Sequence, residues 1–184
     1  MFTFCFAQKQ NDNSDSLKVT HINQGFFNWY ISSIKENKYY DFKPVFVETT
    51  DSMTTLEFSF YKKNLKKYNF SDSLIDKEIK SYSVCIKNLS KVKYSDFGKS
   101  SFIDLDEFEQ SNCDFGNYYR WIGGQEICDS TEVENIEFFD ENKCIVLIKK
   151  FDYSDEDIYY WPYYVKVYLK KINGNWKINN INWK

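Results

Sequence analysis

The sequence is poor in the residues on which most recognisable chemistry depends. In 184 residues it has one histidine, His21, and one arginine, Arg120, with six glycines and two prolines. A single histidine cannot supply the usual zinc ligand sets, and no CxxC pair offers thiolates in its place. No metal site and no cofactor is expected. The scattered glycines form no phosphate-cradling loop, and no serine lies in a GxSxG elbow. No stretch approaches the ~18 consecutive apolar residues of a membrane-spanning helix. Basic charge is short as well: 24 Lys and Arg against 27 Asp and Glu leave a net charge of −3. The paired lysines at 62–63, 66–67, 149–150 and 170–171 each have acids nearby. Nucleic-acid binding needs a clear basic face, so nucleic acid is not an expected partner.

Aromatic residues are abundant, at 20% of the chain. Disordered chains are poor in them, so a packed body is expected, and the length suits one ordinary domain. The first residues, "MFTFCFAQKQNDNSDS", run from a short apolar stretch to Ala7 and then become wholly polar. They resemble the end of a signal peptide, with Cys5 and Ala7 as the small residues before Gln8, although a basic head is missing. The expected division is therefore residues 1–7 as a signal remnant, 8–18 as a disordered lead-in, and 19–184 as a single domain. Export to the periplasm or beyond follows from that division; an ordinary cytosolic N-terminus is the alternative.

Without Cys5, four cysteines remain: Cys85, Cys113, Cys128 and Cys144. Four allow three connectivities. Cys113 and Cys128 flank a loop-like stretch and are the expected disulfide, leaving Cys85, on a helical pattern, and Cys144, at a strand start, as buried thiols.

Along the chain, residues 21–38 carry Ile22, Phe26, Trp29, Tyr30 and Ile34 at helical spacing. A second helix is expected to be capped by Asp51 or Ser52 and to bury Met53, Leu56, Phe60 and Leu65. A third carries Leu74, Ile75, Ile79, Tyr82 and Ile86, and a short one is expected near Leu105 to Gln110. After Ser130 the texture becomes β. Val133–Phe139 and Cys144–Phe151 read as a hairpin, and "SDEDIYYWP" reads as a connection. Tyr164–Ile172 alternates, with Val165, Val167 and Leu169 on one face, and "NGN" then turns the chain. In the last strand Trp176 and Ile178 share a phase that Ile181 and Trp183 do not, which predicts a β-bulge at Asn179-Asn180. The fold class is α+β: N-terminal helices on one face of a curved antiparallel sheet of about four strands.

"FFNWYISSI" on the first helix and the closing "VKVYLKKINGNWKINNI" resemble the nuclear-transport-factor-2-like, or cystatin-like, cone, most of all its exported bacterial members of unassigned function. The resemblance implies a curved sheet wrapped on the first long helix, with a pocket at its open end. That fold hosts isomerase-like and dehydratase enzymes, binding proteins, and immunity proteins that block toxins, so it does not choose a function. No catalytic residue is carried over from it.

The candidate site residues come from the chain itself. Arg120 and Trp121, in "NYYRWIGG", offer a planar cationic fork and a stacking face beside a Gly-Gly pair; a structural ion pair with a nearby acid is the other reading of Arg120. Tyr159, Tyr160 and Trp161, in "YYWPYY", would suit a sugar- or protein-binding surface, or a core. Asp152, Asp155, Glu156 and Asp157 read as calcium ligands or as a solvated hairpin tip, and the glycine of an EF-hand loop is missing. His21 has the chemistry of an acid–base catalyst, but at the entry to the first helix it reads rather as a cap or an exposed residue. The expected function is binding of a small molecule or protein partner, immunity- or inhibitor-like, without catalysis. The rival is a small isomerase- or hydrolase-like enzyme using a buried carboxylate beside a tyrosine in an open apolar cavity.

Overall fold

The computed structural model describes residues 4–97, 113, 119–124, 126–154 and 157–183, with the side chains of the first helix described from Ser14 onward. Six helices and seven strands are present among the described residues: α1 Phe4–Lys35, α2 Tyr39–Phe42, β1 Val45–Glu48, β2 Thr54–Glu57, α3 Ser59–Lys67, α4 Asp72–Ser81, α5 Ser83–Leu89, α6 Tyr94–Phe97, β3 Ser130–Asp140, β4 Lys143–Ser154, β5 Asp157–Tyr160, β6 Val165–Ile172 and β7 Asn175–Asn182. The protein is α+β, with helices preceding an antiparallel sheet in the chain. The short helix expected near Leu105–Gln110 lies outside the described residues. No helix among them is long and apolar enough to cross a membrane.

The chain divides into two compact units. The first holds residues 1–32, 68–71 and 128–184; the second holds 33–67 and 72–127.

In the first unit, strands run in the order β3-β4-β6-β7, with β5 also paired to β4. All pairings are antiparallel. The sheet does not close into a barrel. Alternation in β6 buries Val165, Val167 and Leu169, as its pattern predicts, and β4 buries Cys144, Val146 and Ile148 in the same way. Tyr168 pairs with Asn180 while Leu169 pairs with Ile178, so Asn179 is one extra residue. This is the expected bulge. It re-phases β7, so that Ile181, opposite Val167, shares the inner face with Ile178. Ser71 fastens the spot from outside the sheet: its N–H donates to the Ile178 carbonyl at 2.8 Å and its hydroxyl donates to Asn179 Oδ1 at 3.2 Å.

Helix α1 supplies the aromatic part of this core. Phe26, Phe27 and Tyr30 are buried, and Phe26 meets Phe70 edge-on with centroids 4.8 Å apart. Burying each such ring contributes about 1.5–3 kcal/mol. The backbone of residues 8–18, expected to be an unfolded lead-in, is helical. Asp15, on that stretch, is bonded to Lys171 Nζ of β6 at 2.5 Å. Burial pushes the Asp15 carboxyl up, but Lys171, Trp176 and Lys18 together outweigh it and hold the group below its ordinary value.

In the second unit, the last turn of α1 ends in a Schellman cap. Asn37 takes the left-handed φ of 56°, and Lys38 N–H reaches back to the Ser33 carbonyl at 2.8 Å. The segment after Asp51 corrects the expected helix. Met53–Glu57 is extended, and β2 pairs with β1 through a turn at Thr49–Ser52. Thr54 and Thr55 are β-branched, and buried Thr54 and Leu56 alternate with half-buried Thr55 and Glu57 at period 2, which favours a strand over a helix start. The helix begins only at Ser59: Leu65 is buried as expected, but Tyr61 takes the buried place expected of Phe60, which is exposed.

The disulfide is also a correction. Cys113 is bonded to Cys85 of α5, with Cα atoms 4.9 Å apart, and Cys128 is a buried free thiol, as is Cys144. Cys85 is no lone core thiol because it belongs to a cluster with Leu56, Tyr82, Leu89 and Cys113. Loop composition between Cys113 and Cys128 carried no information about which helix Cys113 would meet.

Candidate functional site

Two places hold the predicted residues, one in each unit. In the second unit, α4 turns Leu74, Ile75 and Glu78 inward, three residues on one face at helical spacing. The third of these is a carboxylate. Glu78, its side chain 1% exposed, accepts at Oε1 from the hydroxyls of Tyr61 at 3.1 Å and Tyr82 at 3.3 Å. Arg120 completes the cage. Its Nε donates to Glu78 Oε2 at 2.9 Å and its Nη2 lies 2.8 Å from the same oxygen.

The turn that carries Arg120 is built by its glycines. Tyr119 N–H donates to the Gly124 carbonyl at 3.1 Å, and Gly123 and Gly124 take φ of 76° and 93°, a region that side chains disfavour. The Gly-Gly pair therefore closes a hydrogen-bonded turn. Trp121 is buried, with the Arg120 guanidinium 5.3 Å from its ring centroid. Both Glu78 oxygens already accept from strong donors. The arrangement suits a buried ion pair better than a base waiting for a proton.

In the first unit, β4 and β5 form a two-stranded arm beyond the end of β6. Its pairs are Phe151 with Tyr160, Asp152 with Tyr159, Tyr153 with Ile158 and Ser154 with Asp157. "SDEDIYYWP" is thus a hairpin containing a strand. The rings on it face water: exposure runs from 48% for Tyr160 through 57% for Tyr159 to 61% for Tyr153, and Tyr163, just beyond the arm, is 70% exposed. Trp161 behaves differently. It is half-buried, its indole N–H donates to Asp152 Oδ2 at 2.7 Å, and the Lys150 ammonium sits 4.4 Å from its ring centroid. Asp152 Oδ1 accepts from Asp129 N–H at 2.8 Å, and Asp129 Oδ2 in turn accepts from Tyr153 N–H at 2.9 Å. These bonds root the arm on the sheet.

Both Asp152 oxygens are taken by N–H donors, which leaves this acid to hold the arm instead of a cation. Asp155 and Glu156 lie outside the described residues. Among the described residues no three His, Cys, Asp or Glu side chains gather as a metal site needs. Lys150 continues the inward phase of Cys144, Val146 and Ile148 and is buried. Burial lowers its ammonium pKa, partly offset by Cys128 and Asp152. His21 is exposed on α1, away from either end of the helix.

Arg120 thus meets both Trp121 and Glu78, while Tyr159, Tyr160 and Trp161 follow one another along the arm, with Tyr159 and Tyr160 on opposite faces of the ladder. Reading the sequence missed Glu78, Tyr61, Lys150 and Asp129. For Glu78 the signal was present, four residues after Leu74 and four before Tyr82 on the buried stripe. Comparison with known protein families, with curated proteins and with solved structures returns no match.

Proposed function

We propose that this is an exported, non-enzymatic binding protein, immunity- or inhibitor-like, that engages a macromolecular partner through the β4–β5 arm. One observation carries the reading: Tyr153, Ile158, Tyr159 and Tyr160 are all exposed on the β4–β5 arm, with exposed Tyr163 just beyond it, and the base of the arm is pinned by hydrogen bonds. Tyr153, Ile158 and Tyr160 share one face of the ladder; exposed apolar side chains gathered on one face are unusual on a chain with no partner, and tyrosines on a rigid support lose little entropy when bound. The Cys85–Cys113 disulfide supports an oxidising compartment. The bulged sheet and the aromatic face of α1 support the nuclear-transport-factor-2-like cone as the fold. Cleavage near Gln8 belongs to the same proposal, and mass spectrometry of native material tests it.

Photo-crosslinking tests the binding. A photoreactive residue at Tyr159 or Tyr163 should yield a discrete adduct in cells of the source organism, and the same residue at exposed Lys67 should not. Equal labelling from all three positions would sink the reading.

The rival enzyme has one observation in its favour, the buried Glu78 within reach of two phenols. Against it stands Arg120, which occupies the carboxylate. Turnover of any carbonyl or ester substrate that Glu78→Gln abolishes would replace the binding reading with this one.

A further inference from the structure

The outer edge of β5 is a row of backbone groups with a defined spacing. Trp161 N–H donates to the Lys150 carbonyl at 2.9 Å, which makes Trp161–Lys150 a hydrogen-bonded pair of the antiparallel ladder. Such pairs alternate with non-bonded ones. Tyr159–Asp152 is then bonded, and the N–H and C=O groups of Ile158 and Tyr160 turn to the other edge. Among the described residues β5 pairs with β4 alone. Proteins usually blunt such an edge because it templates another strand. Here nothing described covers it, and exposed rings flank it.

Charge says what kind of strand fits. Residues 151–164 contain four acids and no lysine or arginine. A second copy docking edge to edge would set the two acidic arms against each other, so self-pairing is disfavoured. The rings, by contrast, accept cations: the Lys149 ammonium lies 3.9 Å from the Tyr160 ring centroid. Resting on the reading of the arm as the binding surface, we infer that its occupant is an extended, Lys- and Arg-rich polypeptide segment. It adds as a strand to the β5 edge through Ile158 and Tyr160 and lays its cations on the tyrosine rings.

Four capped peptides added to the full chain test this. The first alternates Arg and Val, the second has Glu in place of Arg, and the third and fourth are the Arg peptide N-methylated at every second amide, in the two alternative registers. The Arg peptide should bind and shift the amide resonances of Ile158 and Tyr160, while the Glu peptide should not bind. N-methylation in the register that faces β5 should weaken binding about tenfold or more, as loss of two backbone hydrogen bonds implies. If the N-methylated peptide binds as tightly in both registers, the inference falls, yet the arm still stands as a ring-based binding surface. Failure of the Arg peptide to bind overturns the inference outright. Failure accompanied by a dimer in sedimentation assigns the edge to a second copy. Crosslinking from Tyr159 and Tyr163 is indifferent to these outcomes, so the two readings fail separately.

Discussion

Glu78 in the second unit and Tyr160 in the first both sit where their chemistry would not place them by default. The carboxylate is inside and the ring is outside. They differ in what surrounds them. Around Glu78 every cost of burial is met locally, by two phenols and a guanidinium. Around Tyr160 there is a lysine over one face of the ring and water over much of the rest. An exception satisfied from within the chain explains itself as architecture. One left largely in water is where the proposed binding surface lies.

The contrast can be broken from the architectural side first. Reducing Cys85–Cys113 opens a link between residues 28 apart in sequence, which should lower stability by about 3–4 kcal/mol on loop-entropy grounds. Denaturant unfolding with and without reductant measures it, and a double alanine variant that matches wild type would contradict it.

Arg120→Ala comes next. It strands Glu78 in the interior and should cost about 2–3 kcal/mol, below the full penalty of a buried pair because Arg120 itself is partly exposed. Replacing both partners, Glu78→Leu with Arg120→Met, should recover most of that loss if the pair is purely structural. If the double variant is no better than the single one, the cage does more than balance a charge.

How much of this was legible in the sequence follows from the range of each interaction. The buried faces of β6 and α1, the hairpin turn at Asn173-Gly174 and the bulge at Asn179 all rest on periodicity within one element, and they read directly. Met53–Glu57 misled because apolar residues at 53, 56 and 60 fit a helix while Thr54 and Thr55 fit a strand, and only pairing with β1 decides between them. The partner of Cys113 depends on contact across 28 residues, which no local pattern encodes. Glu78 was hidden by its own chemistry: a stripe is read from apolar residues, so a charged member is passed over. The two candidate surfaces were visible as compositions, an isolated arginine and a tyrosine cluster. Which of them faced solvent was not.

Acid gives a third, smaller test, confined to the first unit. The Asp15 carboxyl is held below its ordinary value of 3.8, so its contribution to stability is present above that pH. It is lost as pH falls through the lower folded-state value. The loss should be at most about 1 kcal/mol, and Asp15→Asn should remove that part of the pH dependence while leaving stability at pH above about 5 reduced by the same amount.

Smallest of all should be the effect of Tyr159→Ser on folding, within about 0.5 kcal/mol, because this side chain is mostly exposed. A larger loss by thermal unfolding would mean that the arm is architecture after all, and the contrast between the two units would disappear.

Asn179 has an unusual status among the residues of β7. Remove it, and Trp176, Ile178, Ile181 and Trp183 still alternate perfectly with polar residues, as a regular strand would have them. By hydrophobic pattern the residue is superfluous. What it adds is length on one side of a ladder, which bends the strand and presents the Ile178 carbonyl and the Asn179 amide to Ser71. A one-residue deletion there would pass every compositional rule and straighten the sheet. Part of the shape of this protein is thus written as a count of residues, independent of which residues they are.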